Sequence, residues 1–415
     1  MKKNVIAIIE AGQGRENAFL SLQKAGYYIL FVTRTKTKVS NYIDEVLHVD
    51  TNSTEDLLNA LIQYNEQKQR IDSVITLLEW YVPATAEVCE KMGLLGISRK
   101  TADNCRNKHS MRVALDKQQV PIPQFKLCTN KTEVELAVHE VGGYPCIIKP
   151  VDGTGSSNVV KVNNTAEAHK ALETIQAAKY NSRDQELKGI VLVEEFVDGN
   201  EFSVDSITKN GETEVLAICD YRTTNGPHFV EMGYTTPSQL PTELQDKIKQ
   251  TVKSAIKAVG IMNGVSHCEI KLTSTGPKVI EIAARHGGGH IPELIELTKG
   301  INYYVEAVKL FCGQQIDILP KRKCSGAMRL LFAEKTGTIS EISNLDKARE
   351  VTGIKEIVIS KKVGDQVSEE IKDYRAPLGY IIATGQTQKE ALNQAKTANE
   401  ILNITYNHFG YSNSN

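Results

Sequence analysis

Two glutamates, Glu269 and Glu281, lie in a segment whose pattern predicts a β-hairpin that places them face to face. Residues 268–282 alternate apolar and polar positions around Ser274-Thr275-Gly276, a three-residue loop with glycine where a left-handed backbone is needed. If Thr275 is the centre of the turn, cross-strand partners have numbers that sum to 550, so Glu269 lies opposite Glu281. Directly opposed side chains share one sheet face, with Cβ atoms roughly 4.5 to 5.5 Å apart. Like charges this close persist only when a proton or a cation compensates them.

Carboxylate oxygens in this arrangement favour a hard cation. Mg²⁺ held against phosphate oxygens fits best, because Gly-rich and Lys-rich segments that suit phosphate occur elsewhere in the chain. The alternative is an exposed hairpin whose two acids are solvated. The choice between these interpretations depends on whether the chain also carries a phosphate site.

The segment Asp152-Gly-Thr-Gly-Ser-Ser-Asn158 has the composition of a phosphate-binding loop. Its glycines let backbone amides approach an anion, and the three residues that follow them add hydroxyl and amide groups. It is not a P-loop, because no Gly-Lys-Ser or Gly-Lys-Thr follows the glycines. Lys149 is the last polar residue of an otherwise apolar strand just before this loop, where a buried lysine needs a partner such as phosphate. A plain flexible turn is the alternative.

Five motifs in this order resemble an ATP-grasp ligase. The family pattern has a helix lysine, a strand-end lysine with a Gly/Ser-rich flap, a hinge of the form Glu-Glu-φ-φ-x-Gly-x-Glu, a paired-acid hairpin and a downstream arginine. The matching residues here are Lys108, Lys149 with Gly153 to Ser157, Glu194-Glu-Phe-Val-Asp-Gly-Asn-Glu201, Glu269 with Glu281, and Arg285. The match spans roughly residues 101 to 290. Five ordered motifs are far more specific than any one of them.

The resemblance implies an ATP site with a role for each motif. Lys108 and Lys149 would hold the α and β phosphates, and the flap would close over the β and γ phosphates through Gly155, Ser156 and Ser157. The hinge would bind the nucleoside, with the backbone of Glu194, Glu195, Phe196 and Val197 at the adenine edge and Glu201 at the ribose hydroxyls.

The same resemblance implies the reaction. Glu269 and Glu281 would carry two Mg²⁺ ions, with Mn²⁺ as an alternative metal, and Arg285 would face the transferred phosphoryl group. A substrate carboxylate would attack the γ-phosphate to give an acyl phosphate and ADP, and a nucleophile would then displace phosphate. Such transfer needs alignment and charge neutralisation more than covalent help from the protein.

Residues outside these motifs are candidates for substrate contacts. His228 and Glu231 lie between the hinge and the acid pair, where the family often lines its substrate pocket. His228 could contact the incoming carboxylate or accept a proton from the amine, and a structural role is equally open. Glu79 follows the predicted strand from Val74 to Leu78, at the edge where open α/β sheets present ligands, and is expected to bind a substrate ammonium.

The segment His286-Gly-Gly-Gly-His290 places two histidines four residues apart. Zinc is disfavoured, because three glycines argue against the helix that would put both imidazoles on one face. A loop whose amides bind a substrate carboxylate or acyl phosphate is favoured instead, with Gly287, Gly288 and His290 as the contacts.

One departure from the family pattern affects the metal site. The family commonly has Glu-x-Asn-x-Arg at the second acid, whereas this chain has Glu281-Ile-Ala283-Ala-Arg285. Water or a bidentate Glu281 could replace the missing asparagine, since Mg²⁺ usually keeps several waters. The Glu-Ile-Ala-Ala-Arg form, with glycines after it, resembles bacterial L-amino acid ligases, which join the carboxylate of one amino acid to the amine of another.

The first hypothesis is therefore an ATP-dependent carboxylate–amine ligase that acts on two L-amino acids and releases ADP and phosphate. One alternative is an ATP-grasp ligase or carboxylase with a substrate that is not an amino acid. Another is a non-catalytic ATP-binding sensor. The sensor is disfavoured because binding alone has no need of Arg285.

The composition is that of an ordinary globular protein. The 415 residues are 41% hydrophobic and 24% charged, with a formal net charge of −1. Near neutrality gives no electrostatic case for nucleic acid or an anionic membrane surface, so small molecules are the expected partners. Eight scattered cysteines without a CxxC pair predict reduced thiols. The expected location is the cytoplasm, since neither a signal peptide nor a run of membrane-span length is visible. A homodimer is a further expectation.

The scaffold expected from these features belongs to the α/β class with α+β parts, an ATP-grasp fold in three segments. Residues 1–100 are expected to form a Rossmann-like parallel-sheet domain, because strands and helices alternate there. Residues 101–300 would form the ATP-grasp core, with a lid subdomain at about 125–192, and residues 301–415 a C-terminal α+β domain. A nicotinamide cofactor is disfavoured because the turn with Gly12 and Gly14 lacks the third glycine of the dinucleotide fingerprint.

Helix boundaries are also predicted. One helix is expected from Thr101 to Gln119, ended by the prolines that follow it. Capping boxes that begin at Asn130, Asn164 and Thr387, each with glutamate three residues later, predict three further helix starts.

Overall fold

The N-terminal part of the chain forms a parallel sheet. The computed structural model describes residues 3–12, 14–36, 40–224, 229–371 and 375–407. The first elements are β1 (Val5–Ile9), α1 (Glu16–Lys24), β2 (Tyr28–Thr33), β3 (Glu45–His48), α2 (Thr54–Gln67), β4 (Ser73–Thr76) and α3 (Val82–Met92). The strands lie in the order β3-β2-β1-β4 and every pair is parallel, which confirms the predicted βαβ alternation.

Helices cover both faces of this sheet. The central strand β1 is therefore buried along its whole length, as its unbroken apolar run requires. Leu57 and Leu61 of α2 pack on one face, and Phe19 and Leu22 of α1 pack on the other.

The prediction of a single helix from Thr101 to Gln119 is wrong. Two helices, α4 (Arg99–Arg106) and α5 (Lys108–Lys117), meet at Asn107. Asn107 has an extended backbone, and its side chain accepts a hydrogen bond from Ser110 N, which makes it the N-cap of α5. Lys108 is therefore the first residue of a helix, and its amide donates to the Val151 carbonyl at 2.8 Å, beside the flap.

A small antiparallel sheet carries the flap. Its elements are β5 (Phe125–Cys128), α6 (Lys131–Glu140), β6 (Cys146–Pro150), β7 (Val160–Val162), α7 (Thr165–Ala177) and β8 (Val191–Glu195), with strand order β5-β8-β6-β7. The predicted caps are present: Asn130 accepts from Glu133 N, and Asn164 accepts from Glu167 N. Each capping glutamate also accepts the amide of the residue before its asparagine.

A second, long antiparallel sheet joins the middle of the chain to its C-terminal part. The elements up to residue 311 are β9 (Asn200–Lys209), β10 (Glu212–Thr223), β11 (Glu231–Thr236), α8 (Thr242–Val259), β12 (Gly264–Thr273), β13 (Gly276–Ala283), α9 (Ile291–Lys299) and α10 (Tyr303–Phe311). They are followed by β14 (Ser325–Leu331), β15 (Gly337–Ser343), α11 (Leu345–Arg349), β16 (Ile354–Ile359), β17 (Gln366–Val367), β18 (Gly379–Gly385), α12 (Gln388–Ile401) and β19 (Asn403–Asn407).

Eight strands share that long sheet, in the order β13-β12-β9-β10-β11-β14-β18-β16. The sheet contains strands from both sides of residue 300. Strand β14 pairs with β11, and β18 and β16 continue the sheet beyond β14. The remaining strands pair as β17-β15-β19. The cap predicted at Thr387 is present, since its hydroxyl accepts from Glu390 N. None of the helices in the described part of the chain combines the length and apolar composition that a membrane span requires.

The β12-β13 hairpin pairs Glu269 with Glu281, as predicted, but its turn differs from the prediction. Thr273 pairs with Gly276, so the loop has two residues, Ser274 and Thr275. A bulge at Ile280 then shifts the register by one residue. The shorter turn and the bulge offset each other, so the two acids still lie opposite each other.

A loop of the small sheet, residues 180–187, contacts the N-terminal sheet and is called the docking loop below. Asn52 donates through Nδ2 to the Arg183 carbonyl at 2.8 Å and accepts at Oδ1 from Gln185 Nε2 at 3.1 Å. Arg34 donates to the same carbonyl at 2.6 Å and pairs with Asp184 at 3.0 Å. These polar contacts hold the flap-bearing sheet against the N-terminal part.

We expect Arg34→Ala to loosen the docking loop without unfolding the protein. The pair with Asp184 is largely exposed, and such pairs contribute about 0–1 kcal/mol to global stability, yet the arginine also satisfies a loop carbonyl. Amide hydrogen exchange in residues 180–187 should therefore accelerate severalfold while the melting temperature changes little. Arg70→Ala, at a position 81% exposed and away from the loop, is the matched control. Unchanged exchange in the loop of the Arg34 variant would contradict this account.

Candidate active site

One cavity of about 810 Å³ lies between the flap, the hairpin and the long sheet. Most residues predicted from the sequence line it. They are Lys108, Lys149, Gly155, Ser156, Ser157, Glu194, Glu195, Phe196, Val197, Glu201, Glu231, Glu269, Glu281, Arg285, Gly288 and His290. The structure thus brings together motifs that are up to 182 residues apart in the chain.

Three of the predicted residues are not among those that line the cavity. Glu79 lies behind Arg285, and Gly287 packs against Asp205. His228 lies outside the described residues, so its role stays a prediction.

A buried charge network supports the phosphate side of the cavity. Lys149 Nζ lies 2.7 Å from one carboxylate oxygen of Glu194, and Arg112 Nε lies 2.6 Å from the other. All three side chains are at most 4% exposed. Glu194, rather than a phosphate, is therefore the partner that makes the buried Lys149 acceptable here. Burial opposes ionisation of Glu194, yet Arg112 and Lys149 keep its pKa below the ordinary value.

Lys108 connects the flap to the paired acids. Its Nζ donates to the Gly153 carbonyl at 3.0 Å and lies 3.0 Å from Glu281 Oε2. Burial alone would raise the pKa of Glu281, but Lys108 and Lys149 lower it to about 2. Glu281 is therefore a carboxylate throughout the physiological range.

Glu269 faces Glu281 across the hairpin and has its own cationic neighbour. His267 lies one alternate position before Glu269, with Nε2 at 3.8 Å from a Glu269 oxygen and Nδ1 at 3.0 Å from Asp205. Burial would lower the pKa of His267, but Asp205 and then Glu269 raise it to about 10. The imidazole is therefore a cation that donates to Asp205 and forms a longer ion pair with Glu269.

The flap turns through left-handed backbone beside Lys108. Gly155 and Ser156 have φ values of 60° and 56°. A Cβ at Gly153 would lie 2.6 Å from the Pro150 ring, so the chain can pass here only as glycine. The result is a loop whose amides and serine hydroxyls border the cavity.

Aromatic rings and lysines border the hinge end of the cavity. Phe196 stacks on Phe229 with centroids 6.5 Å apart, and Lys161 Nζ lies 3.9 Å from the Phe196 centroid. Lys271 lies over both rings. Flat apolar faces of this kind suit a planar base.

Two acids line the cavity between the hinge and the glycine loop: Glu201 pairs in register with Lys271, and Glu231 lies beside Gly289. Burial, with Glu269 nearby, raises the pKa of Glu201 to about 7. Burial also raises the pKa of Glu231 to about 8, with Glu269 adding to the shift and His267 opposing it. Glu231 Oε1 and the fully buried Tyr234 hydroxyl both lack a hydrogen-bond partner in the described part of the chain. A cation brought beside Glu231 would compensate its charge.

The glycine loop leads into helix α9 at the cavity wall. The Gly287 amide donates to Asp205 Oδ1 at 3.1 Å, and a Cβ at Gly287 would lie 2.8 Å from that oxygen. The Gly287 amide is therefore already used. Gly288, Gly289 and His290 line the cavity directly before α9 begins at Ile291, so the positive end of the helix faces it.

Arg285 is held by the residue expected to bind an ammonium. Its Nε lies 2.6 Å from Glu79 Oε2, and its Nη1 donates to the His286 carbonyl at 2.7 Å. Glu79 is 7% exposed and also lies in the field of Arg106. Glu79 thus pairs with Arg285 in this structure, and its role in binding a substrate ammonium stays a prediction.

Residues that the sequence motifs did not indicate complete the cavity. The turn after β1 contributes Gly14, Glu16 and Asn17, and the C-terminal part contributes Glu356 and Tyr380. These positions carry no local signal, because only the tertiary fold brings three distant segments together. Gly14 is the exception, because the sequence indicates a turn glycine there. Its φ is 77°, and a Cβ at this position would lie 3.8 Å from the His290 ring.

The residues present fit a divalent metal between the paired acids. Glu269 and Glu281 share one sheet face, and Glu281 is ionised and lies within reach of Lys108. No group of three or more His, Cys, Asp or Glu side chains with metal-binding geometry occurs among the described residues. Phosphate and water oxygens would therefore have to complete the coordination, as is usual for Mg²⁺.

Three family models match consecutive parts of the chain. The ATP-grasp N-terminal domain matches residues 21–96, the ATP-grasp domain residues 142–293, and the L-amino acid ligase C-terminal domain 2 residues 329–407. The three matches together reach from the first βαβ unit to the last described strand.

Named relatives and a solved structure agree with these matches. Alanine–anticapsin ligase of Bacillus subtilis is 28% identical over 296 residues, which are 65% of this chain and only 60% of that protein. Dapdiamide A synthase of Enterobacter agglomerans is 26% identical over 413 residues, 92% of each chain. The crystal structure of an L-amino acid ligase from Bacillus licheniformis superposes with a TM-score of 0.84 and 22% identity, covering 98% of this chain and 100% of that one. The likeness to that structure concerns the fold.

We expect Glu194→Gln to destabilise the protein by about 3–5 kcal/mol, because it leaves Arg112 and Lys149 buried without a counter-charge. Denaturant unfolding with the m-value held constant measures the change. Glu195→Gln is the matched control: Glu195 is 31% exposed and pairs with Lys278 near the surface, so its loss should cost about 0–1 kcal/mol. Equal effects of the two substitutions would contradict the buried network.

A second prediction concerns pH. Burial, with Arg15 nearby, lowers the pKa of His286 to about 3, whereas an unfolded histidine titrates near about 6.5. The neutral imidazole thus contributes stability that is complete above the unfolded pKa and is lost as pH falls toward the folded pKa. From pH 7 to pH 5 this group should reduce the free energy of unfolding by on the order of 2 kcal/mol.

The matched variants are His286→Gln and His139→Gln, a buried and an exposed histidine. The first should flatten the pH dependence of unfolding in that window, and the second should leave it as in the wild type. A His286 variant with the wild-type slope would show that this imidazole does not stay neutral in the folded state.

Proposed function

Because the chain belongs to the ATP-grasp superfamily of ATP-dependent ligases, we propose that it joins two L-amino acids through an aminoacyl phosphate and releases ADP and phosphate. The carboxylate of the first amino acid attacks the γ-phosphorus of ATP, the bond from that phosphorus to the bridging oxygen breaks, and ADP leaves. The amine of the second then attacks the acyl carbon, the C–O bond to phosphate breaks, and the amine loses a proton. The products are a dipeptide, ADP and phosphate.

The continuity of the cavity is the observation that supports this function best. Lys108, Lys149 and the paired acids border the same space as Glu231 and the start of α9. A nucleoside triphosphate can therefore lie with its terminal phosphate next to a second, smaller molecule. Such juxtaposition is the main requirement of phosphoryl transfer.

The nucleotide end matches ATP group by group. We assign the adenine to the space beside Phe196 and Phe229 and the ribose hydroxyls to Glu201, whose raised pKa reflects a carboxyl that lacks compensation. Lys108 pairs with Glu281, and Lys149 pairs with Glu194. Phosphates that enter the cavity replace part of each carboxylate's contact with its lysine. The flap serines close over the terminal phosphates.

Glu269 and Glu281 would hold Mg²⁺, which when bound neutralises the β and γ phosphates. Two ions are proposed from the family resemblance, and Mn²⁺ could serve in their place. Arg285, oriented by Glu79, presents its remaining guanidinium N–H groups to the phosphoryl group in transfer.

The amino acid end has one site for each charge of a zwitterion. The N-terminal end of α9, with Gly288, Gly289 and His290, favours a carboxylate or an acyl phosphate. Glu231 favours an ammonium, since its buried Oε1 lacks a partner in the described part of the chain. Burial and Arg15 lower the pKa of His290 to about 4, so its imidazole is neutral and does not repel an ammonium.

The comparisons support amino acids as the substrate class. The C-terminal match is to an L-amino acid ligase domain, and the relative matched over 92% of both chains is a dapdiamide synthase. The identities of 26% and 28% do not extend to a particular pair of amino acids. The oligomeric state, expected to be a homodimer, stays a prediction.

The decisive experiment is to incubate the protein with ATP, Mg²⁺ and pooled L-amino acids, and to measure phosphate release together with new dipeptide masses. Amino-acid-dependent phosphate release with a matching dipeptide is the expected result. Phosphate release that requires bicarbonate or another carboxylate instead would favour the alternative ligase or carboxylase. ATP binding without turnover in any pool would favour the sensor.

Glu281→Gln should abolish turnover while leaving nucleotide affinity within about tenfold of the wild type, because the hinge contacts remain and only the anionic oxygen opposite Glu269 is removed. Turnover is measured by phosphate release and affinity by titration with ADP. Glu243→Gln, a 78% exposed residue on α8, should retain full turnover. A Glu281 variant with wild-type turnover would remove this residue from the metal site.

A further inference from the structure

Two arginines share a second cavity, on the face of the long sheet that lies away from the active site. Arg222 of β10 pairs in register with Gly233 of β11, and Gly233 pairs with Arg329 of β14. Their neighbours Tyr221 and Met328 line the active-site cavity, so alternation sends both arginines to the other face. There they border a space of about 710 Å³.

Gly233 leaves the gap between the two arginines open. Its φ is 140°, and a Cβ there would lie 2.3 Å from the Met328 carbonyl oxygen, so no other residue fits without a shift of the strand. The two arginines are two strand spacings apart, about 9.5 Å between Cα atoms. With no side chain between them, both guanidinium groups can reach a single small group in the gap.

Neither arginine has a counter-charge among the described residues. Within the described residues neither guanidinium forms an ion pair or hydrogen bond, and the buried Arg329 Nε lacks a partner. Two carboxylates, Glu334 and Glu400, line the same cavity but lie beyond ion-pair distance of both arginines. Burial and the neighbouring Arg329 lower the pKa of Arg222, a sign that the positive charges repel each other.

The rest of the cavity lies under the C-terminal elements and has one group of apolar walls. Leu331 and Phe332 follow Arg329 on β14 and beyond it, while Leu402 and Ile404 enter from the end of α12 and from β19. A fully solvated anion would gain nothing from these walls. A ligand with an anionic head and an apolar body would satisfy both parts of the site.

We propose that this cavity binds a small organic anion, with a phosphate or carboxylate head between Arg222 and Arg329 and an apolar body against the C-terminal elements. The site is independent of the ligase activity. Planar guanidinium groups suit either head, because each can form two parallel hydrogen bonds with an oxyanion.

Phenyl phosphate and benzoate probe the two head groups on one ring, and phenol is the neutral probe. Titration calorimetry would be carried out on the full chain with saturating Mg²⁺ and ADP, which fill the phosphate side of the active site. We expect at least one of the two anions to bind and phenol not to bind measurably. Binding of all three with equal affinity, or of none, would overturn the proposal.

The variants Arg222→Gln and Arg329→Gln should each weaken binding of the preferred anion by about tenfold, and the double variant should abolish it. Arg349→Gln, an exposed arginine on α11, should bind as the wild type does. Wild-type affinity in the double variant would exclude these arginines as the anion site.

Melting temperature separates a binding role from a structural one. If the two arginines repel each other in the absence of an anion, the ligand-free double variant should melt at the same temperature as the wild type or higher. Adding the anion should no longer raise the melting temperature of the double variant. A double variant that melts well below the ligand-free wild type would mean that the pair stabilises the fold, which contradicts the proposal.

Discussion

The buried guanidinium of Arg112 is the contact on which the geometry of the active site depends. It holds Glu194 at the end of β8 and donates to the carbonyl of Ile280, the extra residue of the hairpin bulge, at 2.7 Å. A bulge leaves one residue out of the ladder, and a buried carbonyl without a partner would be costly. Helix α5 thereby fixes the hinge strand, the bulge and, through Glu194, the position of Lys149. Because the bulge sets the register of Glu269 and Glu281, the acid pair depends on this helix as well.

Charge alternation explains why so many ionisable groups can be buried together. Glu194 lies between the cations Lys149 and Arg112, and Glu281 pairs with Lys108 beside them. Each carboxylate takes a position between cations, so no ion is left alone in an apolar environment. Glu231 lacks such compensation, since burial raises its pKa and its Oε1 has no partner in the described part of the chain, and this difference supports the proposal that it receives a substrate ammonium.

Much of this arrangement could be predicted from the sequence, though not always for the right reason. The capping boxes, the βαβ alternation and the strand-end Lys149 are local patterns. They depend on residues close in sequence, so they can be predicted without the tertiary fold. Glu269 and Glu281 were paired correctly from a three-residue turn that does not exist, because the real two-residue turn and the bulge at Ile280 cancel. The break at Asn107 was missed because asparagine is tolerated inside helices as well as at caps. Arg112, Glu16 and Glu356 had no signal at all, since their partners lie in segments that only the tertiary fold brings near.

The hairpin also shows which side chain lies opposite Ala283, where the family often has an asparagine. Ala283 is 2% exposed and pairs with His267, one alternate step from the Glu269–Glu281 pair and on the same sheet face. The His267 imidazole is held between Asp205 and Glu269, with its pKa raised to about 10. A protonated imidazole cannot donate a lone pair to a metal. The outer pair of the hairpin therefore adds positive charge and no oxygen ligand, and Glu269 and Glu281 are the groups of the hairpin that we propose to bind a cation.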